Sequence, residues 1–218
     1  MTIVSFLPLL LKGALVTLEL TALSAFVALV VSISVGLFRL SPWRFVRSIM
    51  VAYVEIFRGT SALVQVFYFF FVLPMLGIDL SPTTAGVAAL GLNFGAYGSE
   101  IVRTAILNVP RGQSEAAIAL NYSPLLTMQR IIFPQAFITM LPSFGNQLID
   151  LLKATSLLSL ITIGDLTFAG KMLVQSSGHV TEIYALVLSI YFVIALVLGR
   201  AMQAAEARIG SSMRSGVT

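Results

Sequence analysis

The 218-residue sequence has no cysteine, a single histidine and few charges, with Asp, Glu, Lys and Arg together at 10%. Without cysteine there is no disulfide framework, no thiolate metal site and no cysteine nucleophile. His179 is the one histidine and no Gly-x-Ser-x-Gly elbow accompanies it, so a serine nucleophile has no general base. A phosphate-binding loop is missing as well. Its nearest approach, Gly164 to Gly170-Lys171-Met172, is one residue too long and lacks the Ser or Thr hydroxyl. Internal repeats and low-complexity tracts are absent too.

What fills the chain is apolar. Hydrophobic residues make up 58% of it, against roughly 45–50% in soluble domains, which also carry about 25% charge. Too little polar surface remains to cover a water-soluble core. A bilayer crossing takes about 20 apolar residues, so this length holds roughly five or six helices and no sizeable second domain. The expectation is an all-α integral membrane protein, a single transmembrane domain over residues 1–218. Its five spans lie near 14–38, 60–78, 83–107, 141–164 and 183–205. Met1–Thr2 carries no basic side chain of a signal peptide, so the first span reads as uncleaved. The apolar stretch Ile3–Leu11, set off by Lys12–Gly13, reads as a short interfacial helix leading into it. The tail Gly210–Thr218 reads as frayed.

The net charge of +4 is spread singly over span ends, unlike the clustered basic face of a nucleic-acid binder. With five spans, ten arginines fall on one side and Lys12 and Lys171 on the other, while Lys153 lies within a span. The positive-inside bias then puts the N-terminus outside and the C-terminus in the cytoplasm. Leu73–Pro82 is a tight outside turn, and Leu166–Glu182 a longer outside loop that contains His179. Asn108–Met140, between spans three and four, is a cytoplasmic connection of about 30 residues, well above the usual 2–8 between bundled helices.

That connection reads as two short helices joined by a turn. Ser114 is a natural N-cap, with Glu115 in the first turn at the positive end of the dipole. Ala116, Ala117 and Ala119 favour helix and leave a low, close-approach surface. Asn121 tolerates the left-handed conformation that ends a helix. Ser123–Pro124 restarts one, and Pro134 ends or kinks it. The product is a compact helical knob offered to a cytoplasmic partner.

The same residues resemble the EAA loop of permease subunits in binding-protein-dependent ABC importers: Glu-Ala-Ala, three residues, Gly, nine residues, Ile, one residue, Leu-Pro. Glu115, Ala116, Ala117, Ile131 and Pro134 match that spacing, while Asn121 replaces the glycine and Phe133 the leucine. Tyr53–Thr60, Ser99–Arg103, Val109–Gln113 and Leu151–Leu157 are similar to the polar amino acid branch of these permeases, and the resemblance covers roughly residues 10–205. Ser61, Thr104–Ala105 and Ala154 depart from it near substrate-contact positions. Within the branch the chain resembles permeases for ectoine and hydroxyectoine.

The resemblance implies a multi-pass bacterial inner-membrane transport subunit rather than an enzyme. It would take up a small polar or zwitterionic solute and need no cofactor of its own. Two permease subunits, identical or paralogous, would form the pathway, and two ABC ATPase subunits would hold ATP and Mg. An external binding protein would deliver solute. The loop with Glu115, Ala116, Ala117, Asn121, Ile131 and Pro134 would be the helix that seats on the ATPase. Two other readings stand beside it: an ion-coupled transporter or channel subunit without an ATPase partner, and a non-transporting scaffold.

Charge inside a bilayer costs roughly 2.5–3.5 kcal/mol per residue on insertion scales, so each intramembrane ion needs a partner or a role. Glu55 and Arg58, Glu100 and Arg103, and Asp150 and Lys153 are each acid then base at i, i+3, where helical neighbours meet. They read either as self-neutralised pairs or as substrate contacts. Glu19 stands alone, as an interfacial carboxylate or a pathway group. Asn146, Gln147, Thr155, Ser156 and Ser159 give the fourth span a polar side, the best candidate to line a translocation path. The run Phe67–Phe71 reads as lipid-facing or packed, and His179 as a solvated loop residue.

Overall fold

The computed structural model describes residues 6–214, and among them there is no strand. The helical elements in chain order are α1 (Leu7–Phe38), α2 (Arg44–Gly59), α3 (Ala62–Leu76), α4 (Pro82–Leu107), α5 (Arg111–Ala119), α6 (Pro124–Ile161), α7 (Leu166–Ser177) and α8 (Val180–Arg214). Their boundaries follow local chemistry. Ser81 accepts a hydrogen bond from the Thr84 amide with Pro82 at the first position of α4, and Ser123 does the same for Leu126 ahead of Pro124. Gly77 closes α3 at φ +84, a left-handed conformation that costs glycine little.

The most extensively packed helix pair is α1 with α4. Small residues make it possible: a Cβ at Gly95 would stand 2.6 Å from Val31 Cγ1, and one at Gly98 would collide with Ser32. Close backbone approach over small residues is how helices associate where lipid offers no hydrophobic drive. The Ser32 hydroxyl, buried in this seam, donates to the carbonyls of Ala28 (2.6 Å) and Gly95 (3.3 Å). Beside it, Leu20, Val66, Leu90, Leu151, Leu158 and Ile161 form a core shared by α1, α3, α4 and α6.

By length and apolarity, α1 and Val180–Ile209 can each cross a membrane unaided, and two bent pairs bring the number up to four where each pair is one span. The pairs are α2 with α3, at 103°, and α6 with α7, at 50°. The helix α4 is long enough to cross but too rich in Gly, Asn and Ser to count among these. It is packed against α1, α2, α3 and α6, which shield its polar groups.

Several boundaries differ from expectation. No separate interfacial helix precedes the first span: α1 runs unbroken from Leu7, and residues 3–5 lie outside the described residues. Gly13 is there for close approach, since a Cβ would stand 2.8 Å from the Asp165 carbonyl oxygen. Helix α6 continues through Pro134. A wide turn over Met128–Ile132, in which the Phe133 amide bonds to Met128, leaves room for the proline ring. The expected loop Leu166–Glu182 is mostly the helix α7, whose Leu166 and Ala169 are buried against α1 and α8. The tail stays helical through Arg214, and residues 215–218 lie outside the described residues.

Candidate coupling loop and translocation path

The knob between α4 and α6 starts one turn earlier than its sequence suggests. Pro110 stands before the first turn, so Ser114 lies inside α5 and caps nothing, and no acidic residue occupies the first turn. Glu115 and Ala116 are exposed, as are Ile118, Leu120 and Leu125, while Ala117 is fully buried. The end is as expected: Asn121 adopts φ +60, and the Tyr122 amide bonds back to Ala117 at 3.0 Å. Ile131 and Pro134 are half-buried on α6. Gln135 joins the two helices by donating to the Ile131 carbonyl (2.9 Å) and to Gln113 Oε1 (3.3 Å). The result is a small apolar protrusion on a braced stem.

The polar residues of α6 divide in two. Asn146, Asp150 and Lys153 are exposed at i, i+4 and i+7, one stripe along the helix. Asp150 and Lys153 form the expected pair at 3.2 Å, with side chains 65% and 64% exposed. Ser156 borders the stripe, its hydroxyl donating to the Lys153 carbonyl. Thr155 does not belong to it: the residue is fully buried and donates to the Leu152 carbonyl at 2.6 Å. Gln147 turns inward and donates to the Phe94 carbonyl of α4.

Of the other two pairs, Glu100–Arg103 forms and draws in Arg58 and Arg39 as one cluster. Glu100 accepts from Arg39 (2.6 Å), Arg103 (3.0 Å) and Arg58 (3.4 Å), so three helix ends share one carboxylate. The expected Glu55–Arg58 pair is not formed. The last turn of α2 aims Arg58 at α4, where Glu100 and the face of Tyr97 (5.2 Å) receive it, and Glu55 is left exposed. No group of three metal-ligating side chains occurs among the described residues.

Residues 28–211 match the family of binding-protein-dependent transport system inner membrane components. The chain belongs to this family. It is 50% identical over 204 residues to the probable amino-acid ABC transporter permease protein y4tF of Sinorhizobium fredii, covering 91% of this chain and 86% of that one. It is 36% identical over 205 residues to the glutamine transport system permease protein GlnP of Escherichia coli, covering 93% and 94%. The crystal structure of an amino acid ABC transporter superposes with a TM-score of 0.88 at 33% identity, over 94% of this chain and 96% of that one. The chain is therefore the permease subunit of an ABC importer, a transport subunit whose ATPase is a separate partner. That sets aside the ion-coupled and scaffold readings.

Three features of the permease lie outside the expected site residues. Arg39, expected as a topology charge alone, is the closest partner of Glu100. At the α2–α3 corner, Asn93 donates to the Phe57 carbonyl (3.0 Å) and Gln65 Oε1 (3.1 Å), while Gln65 donates to Thr60 Oγ1 (2.7 Å). Two amides in otherwise apolar spans were the sequence signal for this clamp. Asp165 is fully buried and caps α7 through the Phe168 amide at 2.8 Å, beside the Leu166 amide that donates to Thr17. His179 is exposed, 3.6 Å from Glu182, as expected of a loop residue.

Proposed function

We propose that this permease carries a small zwitterion, an amino acid or an ectoine-like compound, past the stripe of Asn146, Asp150 and Lys153. One observation carries the reading: an acid and a base lie about two-thirds exposed on α6, within the expected fourth span. Lipid would charge heavily for that exposure, so the stripe faces a second permease subunit and a watered path between the two. A fixed carboxylate and ammonium 3.2 Å apart are the complement of a solute that bears both charges. Glu55, Arg58, Glu100 and Arg103 sit at or near one mouth of that path, where the Glu100 cluster would tie it shut.

The remaining assignments rest on family membership and the positive-inside bias. Five spans run with the N-terminus outside and the C-terminus in the cytoplasm of a bacterial inner membrane. An ABC ATPase holding ATP and Mg binds the α5 knob through Glu115, Ala116 and their apolar neighbours, with Asn121, Ile131 and Pro134 shaping it. An external binding protein delivers the solute.

The test is ATP-driven uptake into proteoliposomes holding the whole transporter. Competition should rank zwitterions above mono-charged analogues of the same size. Asp150→Asn with Lys153→Met should abolish that ranking while ATPase assembly persists. An unchanged ranking in the double variant would remove the stripe from the path.

A further inference from the structure

Helix α2 has three faces, and two of them are already explained. Met50, Tyr53, Val54 and Phe57 hold it against α1 and α4, with the Tyr53 hydroxyl donating to the Leu92 carbonyl at 2.6 Å. Arg58 closes the Glu100 cluster. The third face belongs to its first half and is uncovered: Phe45 is 78% exposed with Ile49 one turn on, and Trp43, just before the helix, is 73% exposed. Flanking it, Arg44 and Arg47 are exposed and make no ion pair among the described residues. No acidic residue occurs anywhere from 20 to 54, so nothing local neutralises them.

We propose that this face lies in the lipid headgroup layer, with Arg44 and Arg47 binding the phosphate of an anionic phospholipid. Three observations choose lipid as the occupant. The 103° corner turns α2 across the direction of α3, so that the first half of α2 can lie along the membrane surface while the pair together forms one broken span. A tryptophan and a phenylalanine at its start are the side chains that settle at the depth of headgroups. Two unopposed arginines beside them complement an anionic surface, which attracts each basic residue with roughly fivefold enrichment. A second copy of the chain would bring its own Arg44 and Arg47 and no compensating acid on this segment.

The role reaches beyond solute choice. The α2 helix holds Arg58 in the Glu100 cluster and meets α3 at the clamped corner. Lipid that pins its first half therefore fixes the end that contacts both.

Trp43 is the sole tryptophan of the chain, so its fluorescence reports this face alone. The full-length permease is reconstituted into liposomes of equal parts phosphatidylglycerol and phosphatidylcholine, with bromines on the acyl chains of one or the other. Quenching by brominated phosphatidylglycerol should exceed that by brominated phosphatidylcholine several-fold, and the excess should shrink in high salt. In the Arg44→Gln, Arg47→Gln double variant the ratio should fall to about one, while total quenching and helix content stay unchanged. Equal quenching in the unaltered protein would overturn the proposal, as would a ratio that survives the double variant. Absence of quenching by either lipid would mean that protein covers Trp43, which also overturns it. Solute uptake is not read in this experiment, so its outcome is independent of the zwitterion reading.

Discussion

Glu100 carries more at the scale of single residues than any other charge described. Its carboxylate receives Arg39, whose side chain is 10% exposed, together with Arg58 and Arg103. Glu100→Gln would leave a nearly buried guanidinium without its anion, and an orphaned buried charge-paired group costs about 2 kcal/mol after allowance for partial exposure. The expected outcome is a clear drop in the thermal unfolding midpoint of the detergent-solubilised permease. Glu55→Gln is the control. That residue is exposed and has no ion pair among the described residues, so the midpoint should not move measurably. Equal effects from both would mean that the cluster does not form. The i, i+3 spacing made Glu100–Arg103 and Asp150–Lys153 visible in the sequence, because both partners lie on one helix. It misassigned Arg58 because the winning partner comes from a helix 42 residues away, which no local spacing encodes.

At the scale of elements, the coupling knob was largely legible because turn chemistry is local. Asn121 in the left-handed region and Ser123–Pro124 at the next helix start both follow from side-chain preference. Ser114 failed as a cap because Pro110 fixes an earlier start, and α7 was missed because a short helix buried between two longer ones has no span-length apolar run. The exposure pattern now selects the informative substitution. Ala117 is fully buried, so a bulky residue there would disturb the knob itself, whereas Ala116 faces out. Ala116→Glu should overpack the docking face by about 1–3 kcal/mol and lower transport about tenfold, with membrane insertion and unfolding midpoint unchanged. Normal uptake by that variant would remove Ala116 from the ATPase contact. The α2–α3 corner offers a second test. Asn93→Leu deletes the two Asn93 hydrogen bonds of this clamp: the Phe57 carbonyl keeps Gln65 Nε2 at 2.9 Å, while Gln65 Oε1 loses its donor at a cost of about 1–3 kcal/mol. Amide exchange over residues 57–65 should accelerate while that of α8 does not. Unchanged exchange would show that apolar packing alone fixes the corner.

At the scale of the whole molecule, the outer surface has two characters. Phe26 on α1 and Leu188 and Phe192 on α8 are exposed apolar side chains suited to lipid, whereas Asn146, Asp150 and Lys153 on α6 are exposed and polar. A bilayer tolerates the first and rejects the second, which is why the proposed path sets α6 against another permease. The absence of cysteine makes this directly measurable, since any thiol introduced into the chain is unique. Asn146→Cys should give a permease–permease cross-link in native membranes, and Phe26→Cys should give none. A cross-link at Phe26 with silence at Asn146 would invert the assignment of faces. The same property settles orientation. With the positive-inside arrangement, a cysteine in place of exposed His179 should react with a membrane-impermeant maleimide on intact spheroplasts, and one in place of Ser123 should react after lysis alone. The reverse labelling would invert the permease and put the α5 knob outside, where no ATPase could reach it. The positions of Arg44 and Arg47 share that dependence, because in the proposed orientation they and the knob lie on the same, cytoplasmic side. Labelling of His179→Cys from outside therefore fixes at once the side of the coupling knob, the leaflet that the basic face of α2 meets, and the mouth of the path that the Glu100 cluster closes.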